Sequence, residues 1–443
     1  MARIQLSDHF SFSRLLRFVT PTIIMMLFTS MYGIVDGLFV MHYMQKEAFA
    51  SITLITPFPL LIGAWAYMIG AGGSAVIAKA ISSDKNKDAD SYFTFLTAVS
   101  IIGSILLAIV GLIFLEPVAR LMGASDEMLP HCLRYGRIIM IGTPLYVLEN
   151  VFQSFLTVAE RPKVGLVINL ISASLNMFLN FVFIQFTGHA IVSVAVATVV
   201  SQMVGGIVPI IYFLRSKTIT LHFTKLSFPK GILGEVISNG SSEGVSELFH
   251  PLASIMYNYR LMLLIGVNGV AAYGVLMNVG FMFGAIFLGF AIGSAPLFSY
   301  NYEKKNYEEL HSLVVKSLVI VVVMGFVVYG IACMIEGPFA AVFFRNDEYL
   351  IKLTEEAFSL HSLSYNIMGP AVFASAFFTA IHNSKTSALI SFLRTLLFEV
   401  LAILILPIFF DLNGVWLASL TAELLALLLT IALLLGKRAE YHY

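Results

Sequence analysis

The sequence predicts an all-α integral membrane protein of twelve transmembrane helices, arranged as two parallel-repeat six-helix lobes. Three observations carry that prediction. Of 443 residues, 58% are hydrophobic and 12% charged, with a mean hydropathy of +0.89. Soluble domains hold about 25% charged residues, so this chain has too little charge to coat a water-soluble globule of its size. Its apolar runs, such as LAILILPIFF and LLALLLTIALLLG, are long and do not alternate. A barrel strand needs only about 10 residues of strict alternation, whereas a spanning helix needs about 20 mostly apolar ones. The third observation is an internal echo at a fixed offset, described below.

Apolar runs between charged or turn-rich breaks place the helices near 15–40, 50–78, 92–115, 135–158, 165–187, 190–214, 235–263, 270–299, 313–335, 358–381, 388–410 and 414–436. The first run follows Arg14 and Arg17, is too long for a signal sequence and has no small-x-small cleavage site after it. Lys and Arg set the orientation. One set of connections, with both ends of the chain, holds 19 of the 26 cations, among them Lys79, Lys85, Lys87, Arg161, Lys163, Lys304 and Lys305. The opposite set holds 7, including Arg120, Arg134 and Arg260. The richer face is expected to be cytoplasmic, with both termini inside a cell membrane.

The two halves resemble each other. GAGGSAVIAKAISSDKNKDAD from Gly70 and GSAPLFSYNYEKKNYEEL from Gly293 are both small-residue helix ends running into a short Lys/Asn/acidic loop, 223 residues apart. The same offset relates Thr198 in VAVATVVSQ to Thr421 in VWLASLTAE, and Asn176 to Glu399. Six spans per half is an even number, so both halves cross the membrane in the same sense, as in transporters built from parallel repeats. The expected division is a lobe over 1–214, a cytoplasmic linker over 215–234 carrying RSKTITLHFTKLSFPKG, and a lobe over 235–443.

Several function classes are excluded at this stage. The net charge of +0 offers no basic field for nucleic acid. Cys132 and Cys333 are too few for a disulfide framework or a Cys-rich metal site. No G-x-x-x-x-G-K-[ST] or H-E-x-x-H occurs, and no connection is long enough to hide a catalytic domain, so no enzyme is expected. GAGGS at 70–74 lacks the lysine and preceding strand of a phosphate loop.

A carboxylate at mid-bilayer costs at least about 2.5–3.5 kcal/mol, which makes each one a functional candidate. Asp36 lies in the first span. In the fifth, Asn169, Ser172, Asn176 and Asn180 recur at 3, 4 and 4, forming one polar stripe on an apolar helix. Thr198 adds a hydroxyl in the sixth. In the seventh, Asn239, Glu243, Glu247, His250, Ser254 and Tyr257 recur at 4, 4, 3, 4 and 3. Glu243 and Glu247, one turn apart with a histidine next, would titrate as a coupled set. Glu399 falls in the middle of the eleventh span, and a bridge to Arg394 five residues back fits an α-helix poorly. Glu149, Asn150 and Gln153 on the fourth span and Glu423 on the twelfth read more readily as packing hydrogen bonds.

SMYGIVDGLFV in the first span, GAGGSAVIAKAIS after the second, LNMFLNFVFI in the fifth, VAVATVVSQ in the sixth and GVAAYGVLMNVGFMFGAIFLGFAIGSAPLFSYNY in the eighth resemble the multidrug and toxic compound extrusion (MATE) family. The resemblance runs along nearly the whole chain and in the family's order. It implies a monomeric antiporter that exports bulky, often cationic, organic compounds in exchange for Na⁺ or H⁺, with no cofactor beyond that coupling ion. Its partners would be small organic substrates and membrane lipid. The alternative is a flippase of a lipid-linked substrate from the same superfamily. The resemblance further implies a cation pocket, possible for Na⁺, at Asp36, Asn176, Asn180 and Thr198. Many family members carry an aspartate where this chain has Asn180; the missing carboxylate puts a two-aspartate proton relay in doubt and favours Na⁺. Glu243, Glu247, His250, Glu399 and Gln153 are the candidates for a substrate or proton pathway.

Overall fold

A computed structural model describes residues 9–43, 46–82, 86–159, 161–187, 190–216, 220–344, 347–381 and 383–441. The described residues are helical almost throughout and contain no strand. Hydrocarbon offers no hydrogen-bond partners, so a spanning backbone must satisfy itself, and the helix does so within one segment. The helices are α1 (Phe12–Tyr43), α2 (Lys46–Ile55), α3 (Pro57–Ser82), α4 (Asn86–Leu121), α5 (Leu129–Val158), α6 (Pro162–Thr187), α7 (Ala190–Arg215), α8 (Ile232–Ile265), α9 (Val267–Glu303), α10 (Tyr307–Phe343), α11 (Glu348–Ser362), α12 (Tyr365–Ala380), α13 (Ser384–Phe392), α14 (Glu399–Trp416) and α15 (Ala418–Tyr441). A π-helical turn, Leu393–Phe398, joins α13 to α14.

Grouped by continuity, α2 with α3, α11 with α12, and α13 through the π turn with α14 each form one long stretch. The described helices thus fall on all twelve expected spans. Among the described residues, nine stretches are long and apolar enough to cross a membrane. Outside this set are α1, some of whose side chains lie outside the described residues, α8, which carries the polar stripe, and α11 and α12, which at 15 and 16 residues are each too short. Local chemistry sets the breaks. Pro57 starts α3, where its missing N–H costs nothing. Gly266, at φ 65°, separates α8 from α9. Asp411, at φ 47° and ψ −130°, interrupts α14 one residue past the expected end of the eleventh span; aspartate tolerates positive φ better than most residues.

The chain forms two compact units, Phe39–Ile255 and Met1–Leu38 with Met256–Tyr443. Most of α1 therefore groups with the second half of the sequence, and α8 is shared, so the units divide the chain at different places from the sequence repeat.

The Phe39–Ile255 unit is centred on Phe93 of α4. Its ring meets Phe155 at 5.5 Å, Phe213 at 4.7 Å and Phe223 at 4.7 Å, aromatic contacts each worth about 0.5–1.5 kcal/mol beyond area burial. Part of the stretch expected as an inter-lobe linker is held against this unit. Residues 220–229 are irregular but pinned along the start of α4: the His222 N–H donates to Asp90 Oδ1 at 2.7 Å and the Thr224 N–H to Thr94 Oγ1 at 3.0 Å. Ser227 Oγ lies 2.6 Å from Ser91 Oγ, and Leu221 is fully buried. In the other unit Phe10, Leu15 and Val19 pack with Phe290, Leu297, Phe298, Phe373 and Phe377. The Phe10 N–H donates to Glu309 Oε1 at 2.9 Å, fixing the start of α1.

One helix crossing depends on glycine. A side-chain carbon on Gly72 of α3 would overlap the Val236 carbonyl of α8, and one on Gly240 would overlap the Met68 carbonyl. Gly240 and Gly244 form a G-x-x-x-G spacing, which lets helix backbones approach closely. Gly240→Val should therefore force α3 and α8 apart. The expected loss is at least the roughly 1–3 kcal/mol of core overpacking, read as a lowered unfolding temperature in detergent. An unchanged temperature would show that this crossing is loose.

Candidate functional site

Polar groups gather in each unit. In the Phe39–Ile255 unit, α6 and α7 carry a continuous hydrogen-bonded chain. Asn180 Nδ2 donates to Asn176 Oδ1 at 3.1 Å, Asn176 Nδ2 to Thr198 Oγ1 at 3.3 Å, and Thr198 Oγ1 to the Val194 carbonyl at 2.9 Å. Ser172 Oγ donates to the Ser201 carbonyl at 2.8 Å, and Ser201 Oγ to the Thr198 carbonyl at 2.8 Å. Asn180 is fully buried, and Asn176, Ser172 and Ser201 are buried as well. The spacing of four along α6 produces this chain: Asn176 and Asn180 lie one turn apart on one face, opposite Thr198. Three of the four residues expected in a cation pocket are thus brought together, and all three are neutral. Asp36, the fourth, lies on α1, and its side chain lies outside the described residues.

Asn169, on the same stripe, serves a different neighbourhood. With Glu149, Gln153, Gly165, Gly205 and Pro209 it lines a cavity of about 10 Å³, roughly one water-sized sphere. Gln153 Nε2 donates to the Gly165 carbonyl at 3.3 Å. A methyl group on Gly205 would overlap the Glu149 carboxyl, so glycine is what seats that carboxyl beside α7.

The stripe on α8 changes character along its length. Asn239, Glu243, Glu247 and His250 are exposed, whereas Ser254 and Tyr257 are each 1% exposed. The exposed part belongs to the Phe39–Ile255 unit and Tyr257 to the other.

In that other unit, Tyr257 stacks on Tyr273 with ring centroids 4.7 Å apart and donates its hydroxyl to Glu399 Oε1 at 3.2 Å. Arg394, five residues before Glu399, grips Glu423 of α15 instead. Its Nε donates to both carboxylate oxygens at 2.9 Å and its Nη2 to Oε1 at 2.6 Å. The two side chains are 19% and 8% exposed. Glu423, expected to make only a packing hydrogen bond, is half of a buried ion pair. The pair joins residues 29 apart in sequence on different helices, and spacing along one helix gives no sign of it. Cys132 and Cys333 are both free. Among the described residues, no group of three or more His, Cys, Asp or Glu could hold a metal ion.

A helical membrane protein of two matched halves, each burying a polar cluster among apolar spans, has the build of a secondary transporter. The sequence profile of the MatE family matches residues 21–182 and again 244–404, two segments that begin 223 residues apart, the offset of the internal repeat. The chain belongs to the MatE family of multidrug and toxic compound extrusion transporters. It is 22% identical over 417 residues to multidrug export protein MepA of Staphylococcus saprophyticus, covering 91% of this chain and 88% of that one. Its fold is similar to that of a multidrug resistance MATE family transporter in the inward-facing conformation, with a TM-score of 0.86, 21% identity and coverage of 93% and 94% of the two chains. A structure of such a transporter in the outward-facing conformation matches with a TM-score of 0.77, 21% identity and coverage of 100% and 99%. These relatives are transporters by name, as the want of catalytic motifs leads one to expect.

The ion pair in the Arg394 cluster can be tested apart from transport. Removing one partner of a buried pair costs about 3–5 kcal/mol, because the other charge is left uncompensated. Arg394→Met should show that loss in denaturant or thermal unfolding, and Arg394→Met with Glu423→Leu should recover most of it. Additive losses in the double variant would mean that the two side chains do not act as a pair.

Proposed function

We propose that this chain exports bulky organic compounds, often cationic, across the cell membrane in exchange for Na⁺ or H⁺. The two sequence lobes give alternating access to the substrate. The match of one family profile to both halves of the chain carries this reading, and the naming of a full-length relative as a multidrug export protein supports it. Lys and Arg distribution supports a topology with both ends of the chain in the cytoplasm. Solved transporters of this fold in inward- and outward-facing conformations support a two-state cycle. In such a cycle each ligand shifts the equilibrium only by its differential affinity for the two states.

Asp36 is the proposed coupling residue, and the Asn180–Asn176–Thr198 chain supplies neutral oxygens suited to a monovalent cation. Hard cations such as Na⁺ favour carboxylate, amide and hydroxyl oxygens. Glu243, Glu247 and His250, exposed on α8, are proposed to meet cationic substrate in the pathway, with Glu399 and Gln153 deeper in their units. Moving one charge through about 100 mV supplies roughly 2.3 kcal/mol, enough for an about fifty-fold substrate gradient.

Asp36→Asn should abolish gradient-driven ethidium efflux from proteoliposomes while leaving expression and unfolding temperature near wild type. Wild-type turnover in that variant would remove Asp36 from the mechanism. Asn180→Asp places a new proton-binding group inside the fully buried amide chain. Its efflux should gain a dependence on pH between about 5 and 8 that the wild type lacks or shows more weakly. An identical pH profile would show that position 180 does not take part in coupling.

A further inference from the structure

The strap that follows α7 is two-sided. Residues 220–230 read TLHFTKLSFPK. Toward the protein, Leu221 is fully buried and the Phe223 ring meets Phe93 at 4.7 Å. The backbone donors of His222 and Thr224 are spent on α4, which fixes the strap in place. Away from the protein it shows Lys225, Leu226, Phe228 and Lys230, with Leu226 50% and Phe228 76% exposed. Two large apolar side chains set between two lysines are the pattern of a segment lying in a membrane interface, where apolar groups dip toward acyl chains and lysines reach back to headgroups.

The neighbouring helix sets the depth. The Phe228 ring meets Phe95 of α4 edge-on at 6.0 Å. Beyond Phe95, at spacings of 7, 11, 14 and 18, come Ile102, Leu106, Ile109 and Ile113, all exposed. These spacings put all five on one face of the helix. The four isoleucines and leucine form an apolar stripe open to hydrocarbon. Phe95 heads the same stripe but is only 7% exposed, with Phe228 against it. Phe228 thus stands on the stripe where lipid would otherwise lie. Ile102 is about 10 Å further along the axis at 1.5 Å per residue, so Phe228 sits at the foot of an acyl-chain track. This is the level at which aromatic and basic residues gather in membrane proteins.

The charge at that level is positive and uncommitted. Among the described residues, the side chains of Lys225, Lys230 and Arg215 make no ion pair or hydrogen bond. Arg215 ends α7 two residues after Phe213, whose ring meets Phe223 at 6.5 Å. The nearby carboxylates are engaged or offset: Asp90 accepts from the His222 N–H, Glu235 pairs with Lys79, and Asp88 follows Lys87. We propose that the strap is a binding site for an anionic phospholipid. Its phosphate rests among Lys225, Lys230 and Arg215, and its acyl chains pass Leu226 and Phe228 onto the α4 stripe. A free phosphate ion would use the cations but leave Leu226 and Phe228 in water, so the occupant is a lipid. Under the proposed topology it belongs to the cytoplasmic leaflet; the binding itself does not depend on that topology or on the transported compound.

The test is lipid binding to the purified full-length protein in detergent, measured by native mass spectrometry with phosphatidylglycerol and phosphatidylcholine of the same acyl chains. The wild type should bind phosphatidylglycerol more tightly. Lys225→Gln with Lys230→Gln should weaken phosphatidylglycerol roughly fivefold for each lysine removed and leave phosphatidylcholine unchanged. Lys225→Arg with Lys230→Arg should restore the preference, which separates charge from any effect on folding. Phe228→Ser should weaken both lipids. Lys304→Gln with Lys305→Gln removes the same charge from the connection between α9 and α10 and should change neither affinity. Equal binding of the two lipids by the wild type overturns the proposal. An equal loss in the Lys304/Lys305 variant also overturns it, because net charge would then suffice. Displacement of the lipid by inorganic phosphate at matched ionic strength would make the strap a small-anion site and overturn the assignment to lipid.

Discussion

Hydrocarbon cannot solvate a polar group, and the architecture follows from that one constraint. Every backbone N–H and C=O in the spans has to find its partner within the chain, which leaves helices as the building element. Each buried side-chain amide, hydroxyl or charge has to be matched by another. The two polar clusters are two solutions to this problem. On α6 and α7 the solution is a chain of neutral donors and acceptors running Asn180, Asn176, Thr198, Val194. Around Glu399 it is a bidentate ion pair with a tyrosine and a second carboxyl beside it.

Close packing of helices is the other half of the same solution. Lipid tails are as apolar as leucine, so no hydrophobic gain drives helices together, and small residues and aromatic contacts take its place. The crossing at Gly72 and Gly240 and the aromatic group around Phe93 hold the Phe39–Ile255 unit in this way. The strap at 220–229 is tied to α4 by backbone donors reaching Asp90 and Thr94. A polar, cation-bearing stretch thereby caps that unit instead of trailing from it as a tether.

Most of the fold was legible in the sequence, because composition and run length decide where a membrane helix lies. All twelve expected spans coincide with helices, down to the interruption at Asp411. The α6 chain was legible too, since residues four apart on one helix share a face. What could not be read was anything that joins distant segments or changes helical register. The Arg394–Glu423 pair links two helices, and spacing on either one says nothing of it. The π turn Leu393–Phe398 changes helical register without a sign in the spacing, though the expectation that Arg394 would not bridge to Glu399 agrees with its pairing to Glu423. The α8 stripe reads as uniform along the chain, yet its first four members are exposed and its last two buried.

The account stands on the claim that an ion gradient drives organic compounds uphill through this chain. Ethidium efflux from proteoliposomes, with Na⁺ and pH gradients imposed separately, tests it most directly. The account predicts uphill ethidium movement under at least one gradient, stopping when that gradient is collapsed by an ionophore. Ethidium that equilibrates at the same rate with and without either gradient would contradict it.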